Sequence, residues 1–173
     1  MKAVLKILGV SSGDMKAVEA AGSTPSYVIG AAARSFLRLL ANHCLIPSLR
    51  VRLFRASGIR IGRRVQLNMN LNFLDDFIPG RIILEDEVSV APLVSFIASS
   101  HPNNSPLYRE FGLGASGTIR IRSGAWLGVG AVVMPGVTVG RCAVVGANAV
   151  VTRNVDDFAI MAGVPAEKIG DVR

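Results

Sequence analysis

A chain of 173 residues bounds one domain with at most an appendage. Half of it is hydrophobic but only 6% is aromatic, which suits a core of stacked Val, Ile, Leu and Ala and argues against the exposed aromatic platforms that stack nucleic-acid bases. The formal net charge of +7 is uneven: residues 1–60 hold nine Lys/Arg against two acids, whereas residues 61–173 hold ten of each.

Residues 1–25 are small, mixed and rich in Gly, Ser and Ala, and read as loosely ordered. Lys6 interrupts the apolar run Ala3–Val10, which leaves too short a core for a secretory signal. Residues 26–46 read as a helix whose face is lined by Val28, Ala31, Ala32, Ser35, Leu39 and Leu45, with Arg34 and Arg38 one turn apart. Pro47 ends it, and a second short helix runs from Ser48 to Ala56, carrying Arg50, Arg52 and Arg55, until Gly58. Two readings of this segment stand side by side. It caps the open end of whatever follows, as a repeat array requires; or it is a basic amphipathic surface that meets an anionic membrane or receives an anionic substrate.

From Ile61 the sequence falls into sixes, IGRRVQ, LNMNLN and FLDDFI, then shifts register around Pro79-Gly80 and resumes as IPGRII, LEDEVS, VAPLVS and FIASSH. Residues 102–120 break the pattern with polar residues, Pro, Asn and Gly, and are expected to form a loop thrown out of the repeat. Such loops carry binding and catalytic groups. Residues 121–156 then give six hexads without a slip. Position one is Ile121, Leu127, Val133, Val139, Val145 and Val151; position five is Ala125, Ala131, Val137, Ala143, Ala149 and Val155. Neither a helix nor simple alternation makes this pattern, and six is a β-helix period. One short strand per hexad, with three hexads to a turn, gives about four triangular coils. The uncharged stretch Ser123–Gly140 is long enough to mimic a membrane span, but its five glycines and Pro135 in sixes describe turns. The expected organisation is a basic, partly helical segment (1–58), a β-helix (59–156) with its loop, and a tail (157–173).

These residues resemble the hexapeptide-repeat acyltransferases with a left-handed parallel β-helix, in the branch that acetylates sugars and surface polysaccharides. The matching pieces are NHCLIPSLRVRLFRASGIRIG, the coil ending in His101-Pro102, AWLGVGAVVMPGVTVG, VVGANAVVTRNV and AGVPAEKI, together about residues 41–170. The resemblance implies an all-β fold, a homotrimer, and acetyl-CoA held as acyl donor between neighbouring β-helices. It implies His101 as catalytic residue; Asn70 or Asn72, Asp75 or Asp76, and less directly Glu110, on the acceptor side; and Trp126, Gly128, Val129, Ala147, Thr152 and Arg153 along the cofactor. The tail departs from the family's Pro-Ala-Lys/Arg: Glu167 follows Ala166, which moves the expected contact to the CoA phosphates onto Lys168.

The chemistry suits those residues. A positioned imidazole that removes a proton from the attacking hydroxyl contributes roughly 10²–10⁴-fold to acyl transfer. Backbone N–H groups of the wall are expected to steady the oxyanion. His43 reads as a surface or packing residue. Asp75-Asp76 and Glu85-Asp86-Glu87 read as solvated corners rather than metal ligands, and two histidines in the chain argue against the β-helix carbonic anhydrases, which use three for zinc. Cys44 and Cys142 lack metal spacing and read as free thiols. The expectation is a cytoplasmic acetyl-CoA-dependent O-acetyltransferase acting on a sugar of a polysaccharide or glycan precursor, with no nucleic-acid partner and with residues 26–56 touching the inner face of a membrane. An N-acyltransferase on an amino sugar, a longer acyl chain and a non-catalytic β-helix scaffold are the alternatives.

Overall fold

A computed structural model describes residues 25–102 and 105–173; the expectations for residues 1–24 lie outside them. Two helices, α1 (Pro25–His43) and α2 (Pro47–Ala56), precede three sheets that stand as the walls of a triangular coil. The first wall stacks Arg60–Ile61, Ile82–Leu84, Ile119–Ile121 and Thr138–Val139 in parallel. The second stacks Gln66–Leu67, Ser89–Val90, Trp126–Leu127, Val144–Val145 and Ala159–Ala162 in parallel, with Glu167–Asp171 added antiparallel at its end. The third stacks Asn72–Leu74, Ser95–Ile97, Val132–Val133 and Val150–Val151.

The register follows from the hexads. Trp126 lies opposite Val144 and Val132 opposite Val150, a step of eighteen residues or three hexads. Every position-one aliphatic from Ile121 to Val151 is buried on its counterpart one coil away, and so is every small position-five residue at the bend. Where the step differs, residues have been inserted or lost. Gln66 faces Ser89, a step of 23, so five residues are added in the first coil. Ser89 faces Trp126, a step of 37, which adds nineteen more. Val139 bridges Val155 and Val144 faces Ile160, steps of sixteen. The set IPGRII is therefore not a hexad of its own; Leu84 follows Phe73 in the inward column, and Ile78–Pro79 belong to an insertion at the edge between the third and first walls. The last hexad is likewise shortened by two, so Val155 fills a position-one place.

The second–third edge needs a left-handed backbone at one place in each coil. Asn70, Leu93, Gly130 and Asn148 take it in turn, with φ between 56° and 69°. Gly130 is the residue without a penalty there, and its missing Cβ leaves room for the Asn148 side chain on the next coil.

Three sequence expectations change. The first helix ends at His43 rather than 46, and it packs through the opposite face: Arg38 and Ala41 are buried, whereas Val28, Ile29, Phe36, Leu39 and Leu40 are exposed. The reason is the surface it meets, which is not the apolar core but the polar insertion at 75–77. The loop 102–120 is not wholly irregular. An antiparallel pair, Ser99–Ser100 with Ala115–Ser116, closes its stem, α3 (Pro106–Phe111) lies inside it, and the first wall resumes at Ile119. The tail, expected only as an appendage after the β-helix, adds a parallel strand and then a hairpin to the second wall.

The capping role of α2 is visible in Phe54, fully buried with its ring 5.0 Å from Phe73, which in turn stacks at 5.1 Å on Phe96. This aromatic column closes the open end of the coil. Several arginines expected on a lipid-facing surface are tied to the fold instead: Arg38 and Arg50 are buried, Arg34 is half-buried, and the exposed Arg55 folds back onto the coil. Arg34 donates to Phe77 O, Arg38 to Asp75, Arg50 to Leu67 O and Cys44 O, and Arg55 to Ile61 O and Gly62 O. Among the described residues no helix is long and apolar enough to cross a membrane.

Candidate active site

His101 follows the loop stem directly, at the third–first edge, because the third wall must turn there and the insertion keeps the turn from closing at once. Its side chain is about a third exposed. Asp76, one coil below on the same edge, places Oδ1 3.6 Å from His101 Nε2. That separation is beyond a hydrogen bond but within the reach of an ion pair when the imidazole carries a proton. Arg81 holds the other oxygen of Asp76 at 3.4 Å, and the Tyr27 hydroxyl of α1 donates to the Asp76 carbonyl at 2.5 Å. Burial first, then the Asp76 and Asp75 carboxylates, push the Tyr27 phenol up, so it stays a donor. The Tyr108 ring of α3 lies 6.5 Å from the imidazole.

The two adjacent aspartates part company. Asp75 is 1% exposed and gives both oxygens to Arg38 at 2.8 Å. This corrects its expected place on the acceptor side: it anchors α1 to the coil. Asp76 remains at the solvent-accessible edge.

The other expected groups fall on different sides of the prism. Thr152 and Arg153 share the third–first edge with His101, at the last coil. Asn72 points outward from the third wall and donates to Ser95 Oγ at 3.1 Å. Asn70 sits at the second–third edge with Val129 and Ala147, all exposed. There Gly128 lies so close to the next coil that a Cβ would come within 2.7 Å of Ala147 N. Trp126 stands 56% exposed on the second wall. Lys168 lies on the hairpin at the end of that wall, held by Asp171 at 2.8 Å, and that hydrogen bond raises its pKa. Glu110 is exposed on α3. Arg153 is engaged by Glu167, the residue that departs from the usual tail.

One chain thus gathers His101 and Asp76, but it leaves Trp126, Gly128, Val129, Ala147 and Lys168 on the wall and edge away from them. Beyond the exposed Trp126 ring, the surface through Gly128, Val129 and Ala147 carries only short side chains, and Lys168 lies at the end of that wall, which fits an extended phosphate-bearing thioester arm. Sequence reasoning missed Arg38, Arg81, Tyr27 and Tyr108. Tyr27 and Arg38 lie 49 and 37 residues from the aspartates they meet, so no local pattern marks them; Arg81 and Tyr108 are near in sequence to Asp76 and His101, but they sit in the insertion and the loop, where the hexad pattern gives no register.

Residues 118–153 match the family model described as bacterial transferase hexapeptide (six repeats). A galactoside O-acetyltransferase of Escherichia coli (strain K12) is 35% identical over 116 residues, 67% of this chain and 55% of that protein. The galactoside O-acetyltransferase of Lactococcus lactis is 31% identical over 68% of this chain and 56% of its own length. The chain spans about half the length of the curated relatives it matches. Among solved structures, a hexapeptide-repeat acetyltransferase of Vibrio cholerae complexed with acetyl coenzyme A superposes with a TM-score of 0.73. It is 26% identical and covers 88% of this chain and 92% of that one. A galactoside acetyltransferase in complex with coenzyme A gives 0.72 at 26% identity, over 87% and 84%.

Proposed function

We propose that this chain, whose residues 118–153 carry the repeats of the bacterial transferase hexapeptide family, is an acetyl-CoA-dependent O-acetyltransferase of a sugar hydroxyl, built on a left-handed β-helix and working as a homotrimer. The observation that carries it is the pairing of His101 with Asp76 at an open edge of the coil. An imidazole with Nε2–H turned towards a carboxylate keeps Nδ1 as a lone-pair acceptor. That nitrogen takes the proton of the acceptor hydroxyl as its oxygen attacks the acyl carbon; as the new C–O bond replaces the C–S bond, the imidazolium returns the proton to the departing thiolate. Asp76 steadies the imidazolium that forms, and Arg81 keeps Asp76 in place. When bound, acetyl-CoA supplies the activated acyl carbonyl. Trp126, Gly128, Val129 and Ala147 would lie along its arm, and Lys168 near its phosphates. Thr152 and Arg153 stand further along the same coil, with Arg153 partly neutralised by Glu167. Asn70, Asn72 and Glu110 are the remaining acceptor-side candidates.

The sugar class follows the named activity of the relatives. Acceptors drawn from polysaccharides or glycan precursors, and a cytoplasmic site of action, belong to the same reading. A membrane contact would have to run through the apolar outer face of α1, since most of the arginines of 26–56 are tied to the fold. The test is release of free thiol from acetyl-CoA across a panel of sugars: a hydroxyl-bearing sugar should be acetylated, and the reading fails if no sugar raises release above the hydrolytic background.

A further inference from the structure

A cleft of about 510 Å³ lies between α2 and the first coil. Its walls carry Arg50, Arg52 and Arg55 from α2, and Arg63, Arg64 and Asn68 from the coil. Two of these charges are balanced: Arg63 pairs with Asp86 at 2.9 Å, and Arg64 pairs with Glu87. The other three have no carboxylate among the described residues. Arg50 is the informative one. It is 5% exposed, and its guanidinium is bonded to Cys44 O at 3.0 and 2.7 Å and to Leu67 O at 2.7 Å. Carbonyls satisfy its N–H groups but carry no net charge, and a buried cation without a counter-charge is unfavourable. The chain's other buried arginine, Arg38, has Asp75. Arg55 is likewise held only by carbonyls, of Ile61 and Gly62. The ten-residue α2 also opens its amino end here, where Pro47 and Ser48 line the cleft with no side-chain cap and no acid in the first turn. A helix start of that kind favours an anion.

We propose that this cleft binds a phosphate-bearing group and that the acceptor of the transfer is a soluble phosphorylated sugar or glycan. Its second half rests on the acetyl-transfer reading. Arg50 and Arg55 have given their forks to carbonyls and act on an anion through their charge, while the guanidinium of Arg52, without a partner among the described residues, is free to grip it; a phosphate balances these cations, whereas a neutral sugar would leave all three without a counter-charge. The volume holds a sugar phosphate or a pyrophosphate. Gln66 of the cleft and Trp126 share the second wall two strands apart, roughly 10 Å. Lys168, where the donor's phosphates are expected, lies at the far end of that wall. The cleft is therefore on the acceptor side of the thioester arm.

The experiment is calorimetric titration of the intact protein with inorganic pyrophosphate at low salt, with and without saturating acetyl-CoA. Arg52→Gln and Arg55→Gln are run alongside, with sedimentation on phosphatidylglycerol vesicles as a separate arm. Arg52 is exposed and has no partner among the described residues, so its substitution should leave the melting temperature unchanged. Saturable binding should appear, survive acetyl-CoA, and weaken roughly tenfold in Arg52→Gln. Displacement by acetyl-CoA, or an affinity unchanged from the parent in both variants, overturns the proposal. Vesicle binding without pyrophosphate binding overturns it too and assigns the cations to a lipid headgroup. The two readings separate: thiol release on neutral sugars with no phosphate binding refutes the cleft alone, whereas phosphate binding lost in Arg52→Gln with no thiol release on any sugar refutes the transfer, and the acceptor assignment with it, and leaves the phosphate cleft standing.

Discussion

At the scale of single residues, the pair Asp75-Asp76 separates support from chemistry. Asp75 is buried with both oxygens on Arg38, so truncating it strands a buried cation. Asp75→Ala should destabilise the fold by about 3–5 kcal/mol, the usual result of breaking a buried pair from one side, and urea unfolding measures it. Asp76→Asn loses the charge opposite Arg81 but keeps an oxygen that can accept from it, so it should lower the unfolding midpoint much less than Asp75→Ala while lowering turnover with little change in the Michaelis constant. His101→Ala should keep its melting temperature and its acetyl-CoA affinity while turnover falls by roughly 10²–10⁴-fold. An acetylation assay in which that variant keeps most of its turnover rules out the imidazole as base. The sequence shows that two carboxylates flank the turn, but not which one faces inward, since adjacent residues on a bend point to opposite sides and Arg38 is 37 residues away. The place of His101 at the stem of the loop was legible because it ends the last hexad before the pattern breaks.

At the scale of elements, the hexad run made the walls readable, for burial follows position one and position five without exception from Ile121 to Val155. The helix face was misread because the apolar-face rule assumes an apolar partner, whereas α1 packs its arginines on the polar insertion beside the first coil. The ties between coils also lie outside any periodic signal. Glu85, at the first–second edge, accepts from Arg120 Nη1 at 3.0 Å, from Ser123 N at 3.1 Å and from Ser123 Oγ at 3.2 Å, so one carboxylate joins two coils across the nineteen-residue insertion. Burial alone would raise its pKa, but these hydrogen bonds outweigh it and hold the group below the ordinary 4.5. A carboxylate depressed in the folded state stabilises the fold fully above its unfolded pKa and loses that contribution as pH falls towards the folded value. Glu85→Gln should therefore be less stable than the parent near neutrality, and the gap should close as the pH drops below 4.5. Parallel thermal melts across that window check it; a gap that widens on acidification contradicts the assignment.

At the scale of the whole molecule, the distribution of site groups argues for assembly. His101 and Asp76 occupy the third–first edge, which in a triangular prism faces away from the second wall, where Trp126 stands exposed. An acyl carbonyl carried along Trp126, Gly128 and Ala147 cannot reach the imidazole of the same chain without crossing the coil. Packing the His101 edge of one copy beside the second wall of the next would bring the two halves together, and three copies would close a ring of equivalent sites. Such an arrangement predicts complementation. His101→Ala and Trp126→Ala proteins should each be nearly inactive alone. Unfolded together and refolded as mixed trimers, they should recover a fraction of parental turnover, because a site drawing His101 from one variant and Trp126 from the other is intact. Light scattering on the same samples checks that trimers form. If the mixture stays as inactive as its components while mixed trimers form, both halves come from one chain and the shared-site arrangement is wrong.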